Sequence, residues 1–204
     1  MKQATVDHTK IIGTGIKWND PDFNYTNNAV YWSDYNYQSL GSMNVNWGRA
    51  RDRIPNASIF GTEISPNDVN QGSLGDCYFL ASCSATAEFN SRFSRAFVTQ
   101  TYPAEGIVVM RGRVLGVEKT IAVDDWFPFY TWSNSMLYFA KQSPSGGLWA
   151  PFLEKAWAKL NGNYEIVEGG WGHEVLRFIT GAPTESYYKG WNWATVDEAW
   201  SVIS

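Results

Sequence analysis

Residues 71–85, "QGSLGDCYFLASCSA", change character in mid-stretch. Glycine, serine and aspartate dominate up to Asp76, and an apolar run begins at Cys77. That junction constrains the fold more than any other feature, because it fixes where a coil must become a buried helix. Asp76 is of the residue type that caps helices, and Phe79, Leu80, Cys83 and Ala87 recur at the spacing of one buried face. The pattern predicts a helix over residues 77–90, approached by a glycine-rich loop.

A thiol at the first turn of a helix has two readings. The backbone N–H groups there are unpaired and carry roughly half a positive charge, which favours a thiolate. Gly72 and Gly75 leave little side-chain bulk in front of the sulfur, so an extended substrate backbone has room to approach. Gln71 adds an amide N–H donor which, with the Cys77 backbone N–H, suits a developing oxyanion. The other reading is a small residue in a core helix, and Cys83, deeper in the same run, fits that one.

Two further helices are legible. Over residues 151–161, Trp149, Phe152, Leu153, Ala156, Trp157 and Leu160 recur at three and four, with Pro151 in the first turn and Asn161-Gly162 as the stop. Residues 173–180 carry Val175, Leu176 and Ile179 on one side and end before Gly181. Residues 107–127 alternate with β-branched positions about Gly116 and predict a hairpin, after which "VDDWFPFY" is expected to leave the sheet at Pro128. Residues 1–60 lack sustained periodicity; the first 44 read as an extended arm anchored by Trp18, Tyr31 and Trp32, with Trp47 just beyond.

Composition excludes some partners. A net charge of −4 offers no broad basic field for nucleic acid. No stretch approaches the ~18 apolar residues of a membrane span, and the first residues lack an apolar leader, so a soluble, cytoplasmic protein is expected. On one helix, Cys77 and Cys83 would stand about 9 Å apart along the axis, beyond disulfide reach, and free thiols suit a reducing compartment. The aromatic share of 16% leaves open a second class of function, a non-catalytic scaffold or a module presenting tryptophan and tyrosine faces to peptides or glycans.

A nucleophilic cysteine needs a base, usually histidine. The chain has two histidines, His8 in a polar tail and His173 at a helix start, and neither reads as that base. The final segment opens with a capping box, Thr195 to Glu198, and its helix reaches Ser204 without a stop signal, which reads as a chain cut inside a larger architecture.

"QGSLGDCYFLAS" resembles the Gln-Gly-x-x-Gly-Asp-Cys-Trp-Phe-Leu-Ala signature of calpain cysteine proteases. "LWAPFLEKAWAKLNGNYEIVEGG", "VDDWFP" and "RFITGAP" are similar to further motifs of that family, in order and at compatible spacing over residues 45–204. The resemblance implies an α+β fold, the helical first half of a papain-like core: a central helix bearing the nucleophile, packed helices and a small antiparallel sheet or hairpin. By position Cys77 would be the nucleophile, Gln71 the oxyanion donor, Gly170 the backbone that pairs with an extended substrate, and Tyr78 the cleft residue where the family usually has tryptophan. A protein substrate is implied, and so is a second subdomain supplying the family's histidine and asparagine, whose motifs do not occur here. Conventional calpains also bind calcium in this half. Asp68 stands where one carboxylate would be, but Gly147 stands where the other would be, and losing a carboxylate weakens an oxygen cage.

Overall fold

A two-residue turn, Leu115-Gly116, with both residues at positive φ (51° and 79°), joins strands that need that turn's twist. A computed structural model describes residues 6–31, 43–186 and 195–203 of the chain. Its elements in order are α1 (Asn27–Val30), β1 (Val45–Arg49), α2 (Ala50–Arg53), α3 (Cys77–Ala87), α4 (Asn90–Phe93), β2 (Ile107–Val114), β3 (Val117–Asp124), β4 (Trp126–Tyr130), α5 (Trp149–Asn161), α6 (Gly172–Thr180) and α7 (Val196–Ile203). The fold class is α+β, as expected.

The predicted hairpin is β2–β3, paired antiparallel from Ile107–Asp124 to Val114–Val117. The segment after it does not leave the sheet region at Pro128. It forms β4, which pairs with β1 in a second two-stranded sheet, with Pro128 opposite Trp47. A proline is tolerated because a two-stranded sheet is all edge, and its carbonyl still accepts from Tyr138 N at 2.8 Å.

Helix α5 runs through the interior. Its apolar residues Trp149, Phe152, Leu153 and Ala156 join Phe79, Leu80 and Cys83 of α3 and Val108, Met110, Ile121 and Val123 of β2 and β3 in the main core. Gly162 closes the helix at φ 122°, its N–H bonding to Ala158 O at 2.8 Å. The sequence pattern gave α5 one apolar face, yet Glu154, Lys155 and Lys159 are buried too. Lys155 Nζ pairs with Asp124 at 2.5 Å and Lys159 Nζ with Asp20 at 2.7 Å. Buried charges persist when each finds such partners.

The N-terminal segment is tied down by polar contacts as well as by rings. Trp18 N donates to Glu105 O at 2.8 Å, Asp20 N to Asp124 Oδ2 at 2.7 Å, and Arg49 forms a buried ion pair with Asp125. Trp18 and Tyr31 are half-buried; Trp32 lies outside the described residues. Helix α7 begins with the capping box expected of it, Thr195 N to Glu198 Oε2 at 3.0 Å and Glu198 N to Thr195 Oγ1 at 3.3 Å.

Candidate active site

Helix α3 starts at Cys77, with the thiol exposed and Cys83 buried; neither is in a disulfide. Burial pushes the Cys83 thiol well above its ordinary range, assisted by the charges of Asp76 and Glu154. The loop that delivers Cys77 is clamped along residues 137–141. Ser73 N donates to Tyr138 O at 3.0 Å and Lys141 N to Asn70 O at 2.9 Å. Gly72 is glycine for packing: a Cβ there would meet the Phe139 carbonyl oxygen at 1.9 Å, so the missing side chain lets two backbones touch and does not clear a path to the sulfur. Gly75 is exposed, and its carbonyl accepts from Gly169 N at 2.9 Å.

That bond sets the exposed Gly169-Gly170 backbone beside the nucleophile loop. Gly170 lies against the Tyr78 ring so closely that a Cβ would fall 2.4 Å from Tyr78 Cζ. Tyr78 is in turn fixed by α5, its hydroxyl accepting from Trp157 Nε1 at 3.0 Å. Partial burial pushes its phenol upward, opposed by that bond. Trp157 stacks on Phe79 at 5.6 Å and packs on Phe178 at 5.1 Å, so α3, α5 and α6 meet in one aromatic group. Ser82 Oγ, bonded to Tyr78 O at 2.8 Å and Gly172 O at 3.3 Å, completes the link to α6.

Gln71 is exposed, but its Nε2 donates to Leu74 O at 2.6 Å, within its own loop. Asp76 occupies the cap position without capping: its side chain makes no bond to the helix N–H groups. It is fully buried and turned toward Glu154 of α5. Sequence reasoning missed Glu154, which stands between Leu153 and Lys155 and reads there as an ordinary helix charge.

Asp68 is also buried. Its Oδ2 accepts from Ser65 N at 3.0 Å and Trp149 Nε1 at 3.2 Å, as part of a capping box on the turn at Pro66–Asp68. Among the described residues no three histidine, cysteine or acidic groups come together as metal ligands. Asp68 Oδ2 is thus taken by two N–H donors within the fold. His173 lies in the first turn of α6 with Nδ1 2.8 Å from Ser186 Oγ, and His8 in a short surface turn.

The chain matches the family model described as calpain family cysteine protease over residues 18–202. It belongs to the calpain family. It is 37% identical over 145 residues to the calpain-type cysteine protease DEK1 of Zea mays, covering 68% of this chain and 7% of that protein. Calpain-B of Drosophila melanogaster is 31% identical over 182 residues, covering 86% of this chain and 18% of the relative. Calpain-12 of Homo sapiens is 30% identical over 181 residues, covering 87% and 25%. The chain therefore spans a quarter or less of the length of these calpains. Among the described residues, no helix is long and apolar enough to cross a membrane.

Proposed function

We propose that this chain supplies the nucleophile-bearing half of a calpain-like cysteine endopeptidase acting on protein substrates. The observation that carries the reading is the placement of Cys77: an exposed thiol as the first residue of α3, its loop clamped, with Gln71 before it and the Gly170 backbone beside it. The thiolate sulfur attacks the peptide carbonyl carbon, and the oxyanion is met by the Cys77 N–H and by the Gln71 amide once it leaves Leu74 O. The tetrahedral species collapses to a thioester and an amine, which takes a proton from the general acid, and water then releases the acid product. The acid and base is a histidine on a second subdomain, as the calpain resemblance implies; among the described residues no hydrogen bond joins Cys77 to His173, whose Nδ1 is bonded to Ser186, or to His8.

Free thiols at Cys77 and Cys83 suit the reducing cytoplasm. No step of this chemistry passes through a metal at Asp68. The test is peptide cleavage by the chain alone and by the chain continued through a His- and Asn-bearing calpain subdomain. Cys77-dependent turnover is expected only from the second. Turnover by the chain alone that survives Cys77→Ala would overturn the assignment.

A further inference from the structure

Asp76 and Glu154 are two carboxylic acids buried against each other at 0% and 1% exposure. Both Glu154 oxygens accept from one donor, Ala140 N, at 3.1 and 3.0 Å. Neither oxygen of Asp76 meets any donor, and Glu154 is the carboxyl that acts on it most strongly. Two ionised carboxylates are acceptors only and cannot bond to each other. With a proton between them a hydrogen bond can form, and one of the two orphaned oxygens of Asp76 is satisfied.

Among the described residues no cation bonds to either carboxylate. Glu168, on the segment beside Gly75, adds negative potential at Asp76. Lys141 faces Glu154, but its Nζ is bonded to Leu137 O at 2.9 Å and lies over the Tyr130 ring. Lys155 and Lys159, next along α5, are committed to Asp124 and Asp20. Tyr164 and Cys83 are buried and Tyr78 half-buried, and the charge of the pair pushes each further up.

We propose that Asp76 and Glu154 share one buried proton, and that this bonded pair positions the nucleophile by fastening the start of α3 to α5, releasing it when the proton is lost. Asp76 directly precedes Cys77, and its carbonyl accepts from Phe79 N and Leu80 N at 2.8 and 3.2 Å, so its placement sets the first turn. Burial pushes the Asp76 carboxyl up to about 7, and Glu154 is pushed up as well, chiefly by burial and then by the charge of Asp76. The sign follows from the raised values. The stabilisation is complete below the ordinary carboxylate range and is lost as pH rises through neutrality.

The shared proton rests on the burial of both carboxyls and the missing donors at Asp76, whereas the positioning role rests on the reading of Cys77 given above. Three measurements on the full chain separate them. Thermal unfolding of the wild type between pH 5 and 8 is expected to shift to lower temperature as pH rises. Asp76→Asn or Glu154→Gln, whose amide replaces the shared proton, should flatten that shift. The infrared band of a protonated carboxyl should be present at pH 6 in the wild type and diminished in either amide variant. A band that neither variant changes overturns the shared proton, as does a wild type without one, which needs no variant to fold.

Iodoacetamide labelling of Cys77, normalised at each pH to the unfolded chain, reads the positioning. The wild type should lose relative reactivity severalfold as the pair loses its proton, and Asp76→Asn should not. Identical normalised profiles overturn the positioning role. A Cys77 that labels no faster than an unfolded cysteine at any pH sinks the protease reading while leaving the infrared result in place.

Discussion

Gln71 Nε2 donates to the Leu74 carbonyl at 2.6 Å, so the side chain expected to stabilise an oxyanion is hydrogen-bonded across its own loop. The bond holds the loop's shape and keeps the amide satisfied, and in the proposed mechanism substrate draws it away. Gln71→Ala should therefore act chiefly on the chemical step. In the chain joined to a His-bearing subdomain, kcat should fall about 10²-fold or more, with Cys77 labelling changed far less. Equal losses in both would assign Gln71 to loop structure alone.

Tyr78 stands where the family usually carries tryptophan, and its hydroxyl receives Trp157 Nε1 at 3.0 Å. Tyr78→Phe strands that indole N–H in a partly buried site, at a cost of about 1–3 kcal/mol. Urea unfolding of the variant checks this. A midpoint equal to the wild type's would show that water serves Trp157 as well.

Gly170 touches the Tyr78 ring, and an added Cβ would sit 2.4 Å from Cζ. Gly170→Ala must displace the ring, at roughly 1–3 kcal/mol. Pairing it with Tyr78→Ala should recover most of that cost, because the obstruction is gone. A double-mutant cycle in denaturant gives the coupling directly, and strict additivity would disprove the contact.

Lys159 and Asp20 form a buried pair that ties the N-terminal segment to α5. Lys159→Met leaves a buried carboxylate without its cation and should destabilise by about 3–5 kcal/mol. Adding Asp20→Leu should restore much of the loss. Single and double variants compared by thermal unfolding decide it, and a harmless Lys159→Met would mean that Asp20 is sufficiently served by solvent and backbone.

What could be read in advance followed from local chemistry. The starts and stops of α5 and α6 were legible because Pro151, Gly162 and Gly181 act within a turn of their own positions. The hairpin was legible because Gly116 sits between two alternating runs. The placement of Cys77 at the first position of α3 was legible because the change from glycine-rich loop to apolar run is itself local. Asp76 was misread as a side-chain cap, since its inward turn depends on Glu154, 78 positions away. The burial of Lys155 and Lys159 was equally hidden: each is an ordinary helix-surface residue until Asp124 and Asp20 arrive from other elements. Pro128 was misread because its partner strand, β1, lies far upstream in a segment with little periodicity of its own.

The central claim is that Cys77 is held as an activated nucleophile at the start of α3. Its most direct test is the rate of iodoacetamide alkylation of Cys77 near neutral pH, resolved from Cys83 by peptide mass mapping, in the folded chain and in the same chain unfolded in urea. The account predicts faster reaction at Cys77 when folded than when unfolded, with Cys83 reacting only on unfolding. A folded Cys77 no faster than its unfolded self would contradict it.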